Sequence, residues 1–160
     1  MTIPEWLPAL VKISDYDGNW NNYLDKLYAY FCEDFISSAS NYRGLKVCIK
    51  RHPLIEQKEA TFWHIITKSE NSEERIPDLE RCERIRWPKP IIEKVPSSQI
   101  KVWQNRRRNE TRVCLWFENA EYLVILSERK NFLLLWTAYP VMKNHRKNKL
   151  KKEYESSLKC

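Results

Sequence analysis

Four apolar runs follow one another late in the chain, separated by short polar corners. They are Gln99-Ile100-Lys101-Val102-Trp103-Gln104, Arg112-Val113-Cys114-Leu115-Trp116-Phe117, Tyr122-Leu123-Val124-Ile125-Leu126-Ser127 and Phe132-Leu133-Leu134-Leu135-Trp136-Thr137-Ala138-Tyr139. The corners are Arg108-Asn109-Glu110, Glu118-Asn119-Ala120 and Arg129-Lys130-Asn131. Runs of this length and spacing predict an antiparallel meander. The last run is too apolar for a sheet edge. It turns polar at Thr137 and Tyr139, which alternation places on one face.

The pattern changes upstream. Trp20, Tyr23, Leu24, Leu27, Tyr28, Phe31 and Phe35 recur at helical spacing after Asp17-Gly18-Asn19, a turn and cap sequence. This predicts a helix over residues 20–35 with its apolar stripe on the sheet. Residues 44–50 alternate as a strand that Pro53 ends. Residues 60–67 are short and aromatic and read as a strand or tight turn. Residues 69–75 read as a loop, and 77–85 as a short helix with Pro77 near its first turn. Trp87-Pro88-Lys89-Pro90 stops that helix, and 91–96 reads as an extended connector. The elements together predict an α+β fold. N-terminal helices pack on a mostly antiparallel four- to five-stranded sheet, and a basic C-terminal tail or helix follows.

At 160 residues the chain predicts one domain: an N-terminal helical extension over 1–55 and a core over 60–155. Its 42% hydrophobic content supports a real core. Gly18 and Gly44 are the only glycines, which excludes a Gly-rich phosphate loop. Five cysteines without CxxC spacing (Cys32, Cys48, Cys82, Cys114 and Cys160) predict reduced thiols in a cytoplasmic setting. Three scattered histidines argue against a metal site, so no cofactor is expected. Neither a leader nor a long apolar run is visible, so no membrane association is expected.

The formal charge of +7 and pI of about 9.2 favour a polyanionic partner, because the charge is clustered. His64, within Phe62-Trp63-His64, has a charge tunable near neutral pH and suits acid–base work. The plain alternative is a satisfied core histidine. Arg81, Arg84, Arg86 and Lys89 surround Trp87 and form a candidate phosphate clamp, or else a solvated face with internal ion pairs. Arg106, Arg107 and Arg108, with Arg112 across the hairpin, place like charges together, and a polyanion would relieve their repulsion. Thr137 and Tyr139 can donate to a phosphate, and the tyrosine can stack on a base. The segment from Met142 to Leu158, which includes His145 and Arg146, is a basic tail or solvated helix. This combination of imidazole, cations and hydroxyls is what metal-free RNA cleavage through the 2′-hydroxyl requires.

Residues 60–155 resemble the phage-associated branch of the barnase–EndoU–colicin–RelE nuclease superfamily. The likeness rests on Phe62-Trp63-His64, on Arg81-Cys82-Glu83-Arg84-Ile85-Arg86-Trp87, and on the strand ending Leu135-Trp136-Thr137-Ala138-Tyr139-Pro140. It also includes the tail His145-Arg146-Lys147-Asn148-Lys149-Leu150 with Lys152-Glu153-Tyr154. It implies a metal-independent endoribonuclease, a toxin or phage-defence effector that acts on tRNA or mRNA and is restrained by a cognate antitoxin or immunity protein. It assigns acid–base work to His64 and a phosphate anchor to Arg84 or Arg86, and it places Thr137 and Tyr139 in the active site. Arg81, Lys89, Arg106, Arg108, Arg112, His145 and Arg146 are the candidate substrate-binding cations. Two other readings predict different behaviour: a non-catalytic RNA-binding module, and a basic protein-interaction factor. The first fifty-odd residues match nothing in the family and stand as an added helix.

Overall fold

A computed structural model describes residues 3–71 and 74–159. Helix α1, Trp20–Phe35, starts where the Asn19 side chain accepts the Asn22 N–H at 3.0 Å. Its expected stripe is buried through Tyr23, Leu24, Leu27, Phe31 and Phe35. A short hairpin follows, β1 (Ser40–Tyr42) and β2 (Leu45–Ile49). Arg43 and Gly44 turn it, both at positive φ, which glycine adopts without strain.

The next stretch departs from expectation. Residues 60–66 form helix α2 (Ala60–Ile66), not a strand or tight turn. Besides Ala60 at its start, its buried positions Thr61, Phe62, Ile65 and Ile66 fall at i, i+1, i+4 and i+5, which is a helical face. Seven residues rich in β-branched and aromatic side chains are too few to display that period. The expected loop over 69–75 is instead part of a hairpin, β3 (Thr67–Asn71) and β4 (Glu74–Pro77); residues 72 and 73 lie outside the described residues. Pro77 closes β4 and does not enter the helix that follows. That helix, α3 (Leu79–Glu83), is capped by Asp78, whose carboxylate accepts the Glu80 N–H at 3.0 Å. The expected connector is helix α4, Pro88–Lys94. Helix α3 ends at Glu83, before the prolines, and Pro88 opens α4 at its first position, since a missing N–H costs nothing in a first turn. Ile91 and Ile92 are buried beneath it.

The meander is present as β5 (Lys101–Arg107), β6 (Glu110–Phe117), β7 (Tyr122–Glu128) and β8 (Leu133–Pro140). The sheet has six strands, ordered β1-β2-β8-β7-β6-β5, and is wider than expected because the β1–β2 hairpin joins it. Strand β8 is internal, as its apolar run requires. It pairs antiparallel with β7 and parallel with β2. One face carries α1, α2 and α4 on a core that includes Val113, Leu115, Val124, Leu126, Leu133 and Leu135. The basic tail is helix α5, Asn144–Ser157, on the opposite face. Its Leu150 and Tyr154 pack on a smaller cluster around Trp103, Trp116 and Leu123.

An irregularity in β8 positions the site. Leu126 pairs with Leu135 but Ile125 pairs with Thr137, so Trp136 is an extra residue in the ladder. Alternation from Leu133 and Leu135, both in the core, would send residues 137 and 139 inward. The bulge resets the phase. Ala138 returns to the core, and Trp136, Thr137 and Tyr139 all line depressions on the α5 face.

Among the described residues no helix is long and apolar enough to cross a membrane. Cys32, Cys48, Cys82 and Cys114 are free thiols, while Cys160 lies outside the described residues.

Candidate functional site

Helix α5 covers the β5 side of its face and leaves a cleft of about 620 Å³ beside β8. The cleft is lined by His64 from the end of α2, Arg75 from β4, Arg81 from α3, Thr137 and Tyr139 from β8, and Arg146 from α5. Residues seventy or more positions apart in sequence thus meet at one place.

The end of α2 explains how. A helix leaves its last carbonyls without partners. Here Thr137 Oγ1 donates to the His64 carbonyl at 3.3 Å, Arg81 Nη1 at 3.2 Å and Arg75 Nη2 at 3.3 Å. The Thr67 carbonyl accepts from Arg81 at 2.6 Å and from Arg75 at 2.9 Å, and Arg75 Nε also reaches Thr67 Oγ1 at 2.8 Å. Cations at a helix C-terminus are favourable in their own right. These bonds fasten α2 to β8, β4 and α3 and place His64 at the cleft. The imidazole is half-buried, with its centroid 5.9 Å from that of Trp136. Burial, then Arg75, Lys50 and Arg81, hold its pKa below the usual 6.5, so it is neutral at physiological pH.

Tyr139 sits between two guanidiniums. Arg81 Cζ lies 4.9 Å from its ring centroid, and Arg146 Cζ lies 5.9 Å from it. Arg146 Nη2 also donates to the Tyr139 hydroxyl at 3.3 Å. The cleft can therefore offer a neutral imidazole, a phenol and a fork of positive charge within one concavity.

The depression continues past the bulge. A second hollow of about 350 Å³ shares Trp136, Thr137, Tyr139 and Arg146 with the first and adds Arg107, Arg112 and Lys149. A third, about 610 Å³, reaches Arg106 and Arg108 at the β5–β6 turn. Among the described residues Glu153 is the only carboxylate lining the three, and it accepts from Trp103 Nε1 at 3.0 Å and Asn105 Nδ2 at 2.5 Å. Nor does any group of three metal-ligating side chains form among the described residues.

Of the expected site residues, His64, Arg81, Thr137, Tyr139 and Arg146 converge in the cleft, and Arg106, Arg108 and Arg112 line its continuation. Four others lie outside these hollows. Helix α3 ends at Glu83, so Arg84 does not share a helical face with Arg81. Its Nη1 donates to the Glu80 carbonyl at 2.9 Å, and its guanidinium lies 5.2 Å from the Trp87 ring centroid. Arg86 binds Asp34 at 3.0 Å and Glu33 at 3.3 Å. Lys89 Nζ donates to the Asp34 carbonyl, Ser38 and Ser40, each at 3.3 Å. His145 is exposed on α5, one residue and so about 100° around the helix from Arg146. Arg75, Trp136, Lys143 and Lys149 line these hollows although none is among the expected site residues. Arg75 falls in the segment expected as a loop, Trp136 in the expected regular strand, and the two lysines in the expected basic tail.

Arg81→Lys tests the anchoring. A single ammonium cannot reproduce the planar fork that serves two carbonyls while lying on Tyr139. Urea unfolding should show a loss of about 1–3 kcal/mol, the cost of leaving part of the α2 terminus unpaired. An unchanged midpoint would mean that Arg75 and Thr137 suffice. Comparison with protein-family models, curated proteins and solved structures finds no match to this chain.

Proposed function

We propose that this protein is a metal-independent RNA endonuclease that cleaves by attack of the ribose 2′-hydroxyl, in keeping with its resemblance to the barnase–EndoU–colicin–RelE superfamily. One observation carries this reading: His64 and Tyr139 line one cleft with Arg81 and Arg146. Neutral His64 takes the 2′-hydroxyl proton as the 2′-oxygen bonds to phosphorus. The bond from phosphorus to the 5′-oxygen breaks, and that oxygen takes a proton from Tyr139. Water later returns the proton held by His64 to Tyr139. Arg81 and Arg146 stand where negative charge builds on the phosphoryl oxygens. The electrostatic part falls to cations, because among the described residues Glu153 is the one carboxylate lining the three hollows and it is already engaged.

The substrate class is tRNA or mRNA. A toxin or phage-defence role would bring a cognate acidic antitoxin or immunity protein as partner. The purified protein should cut RNA in EDTA and leave 2′,3′-cyclic phosphate ends, resolved by gel and mass spectrometry. Intact RNA with salt-sensitive binding would make it a non-catalytic RNA-binding module instead. Indifference to RNA would leave the basic protein-interaction factor.

A further inference from the structure

The groove extends well beyond what one ribose-phosphate linkage needs. From β8 it crosses β7 and β6 to reach β5, three strand spacings or about 14 Å. That is about four nucleotides at a stacked spacing of ~3.4 Å. Its cations are also in a different state from those of the helical layer. Arg86 and Lys89 are neutralised by Asp34, Glu33 and Glu93. Arg107, Arg108 and Lys149 make no ion pair with any described residue. Arg112 pairs with Glu110 at 3.6 Å through Nη2, but its Nε–H is buried without a partner. Cations left with this much unmet charge along a concave surface call for an extended polyanion.

Trp136 stands at the junction. As the extra residue of the β8 bulge it costs the ladder its regularity, and it lines both hollows. Arg112 Cζ and Lys50 Nζ lie 4.9 and 5.9 Å from its ring centroid, and the His64 ring centroid lies 5.9 Å away at a 47° tilt. This half-exposed indole can stack a flat ring where a base displaces one of the flexible cations from its face, and only an unpaired base can reach it.

Resting on the nuclease reading, we propose that Trp136 stacks the nucleobase next to the cleaved linkage. The arginines of the β5–β6 hairpin then hold the phosphates beyond it, so that the site takes an unpaired RNA strand across the sheet. The groove, not the cleft alone, sets the footprint.

A 2′-O-methyl RNA dodecamer tests this apart from cleavage, because it lacks the attacking hydroxyl. Fluorescence anisotropy with Trp136→Ala should show about tenfold weaker binding. Trp136→Phe should stay within about threefold, since a ring is kept. Deleting Trp136 gives Leu135, Thr137, Ala138 and Tyr139 a regular alternation against β7, so this variant should fold and bind as weakly as Trp136→Ala. Arg107→Ala with Arg108→Ala should lower the slope of log affinity against log salt by about 1.4, at ~0.7 per phosphate contact on a single strand. The same sequence as a duplex should bind parent protein at least tenfold more weakly. Equal binding by the folded Trp136→Ala variant, an unchanged salt slope, equal duplex binding or no oligonucleotide binding would each overturn the proposal. Expected binding without cleavage of natural RNA would sink the nuclease reading alone. Cleavage with a Trp136-independent affinity would sink this inference alone.

Discussion

Replacing His64 with alanine should cut RNA cleavage by about 10²–10⁴-fold, the usual contribution of a positioned acid–base group. Binding of a non-cleavable 2′-O-methyl strand should change little, because the neutral ring contributes no charge. The pH dependence has a definite sign. Burial and the nearby Arg75, Lys50 and Arg81 disfavour the imidazolium, so the neutral base persists to lower pH than an unperturbed histidine would allow. The rate should rise with pH through the His64 pKa and level off, with its acid-limb midpoint below 6.5. Lys50→Gln removes one of the opposing cations and should move that midpoint upward. A profile of kcat/KM between about pH 4 and 8 checks both points. An alanine variant that cuts within tenfold of the parent would remove His64 from the mechanism. So would an acid limb at or above 6.5, since the groups around the ring push the other way.

The elements that carry a long single-face pattern were readable from the residues alone. Helix α1 declares itself through seven apolar positions and the Asn19 cap, and its boundaries follow. The meander shows because each strand is flanked by polar corners, among them Arg108 and Asn109 at positive φ. The segment from Ala60 to Pro77 was not readable, for two separate reasons. Helix α2 is two turns long and built of Phe62, Trp63, Ile65 and Ile66, whose local preferences favour strands. Tertiary burial decides otherwise. The β3–β4 hairpin lies outside the six-stranded sheet, and its Lys68, Ser69, Arg75 and Ile76 are exposed, so no alternation marks it.

The site shows the same division. Which chemical groups to consider was legible, and where they would stand was not. The bulge at Trp136 depends on pairing with β7, which the run Leu133-Leu134-Leu135-Trp136-Thr137-Ala138-Tyr139 does not encode by itself. The cations around Trp87 were equally undecidable. Arg81 points into the cleft, whereas Arg86 and Lys89 meet Asp34, which lies about fifty residues earlier on α1. A carboxylate so distant in sequence cannot be seen from the arginine.

That partner makes Arg86 the second decisive position. Asp34 is 4% exposed, and its Oδ1 accepts from Arg86 while Oδ2 has no partner among the described atoms. Burial raises the Asp34 pKa, and the Arg86 hydrogen bond and charge oppose the rise without cancelling it. Arg86→Ala would strand a buried carboxylate, at a cost of about 3 kcal/mol at neutral pH, the lower end for a broken buried pair because Lys89 stays close. The sign in acid follows from the raised pKa. Stability favoured by the protonated form is present at low pH and lost as pH rises through the folded pKa. The deficit of Arg86→Ala against the parent should therefore shrink towards about pH 4. Adding Asp34→Asn should recover most of it at neutral pH, since the amide removes the buried charge. Urea unfolding of the parent, single and double variants at both pH values measures this. The resemblance to the nuclease superfamily makes the opposite forecast, with Arg86 as a phosphate anchor. If the folded Arg86→Ala protein keeps its stability but loses cleavage tenfold or more, Arg86 belongs to the site and its bond to Asp34 is incidental. If it loses stability and the folded fraction cuts RNA at the parent rate, the phosphate is held by Arg81 and Arg146 alone.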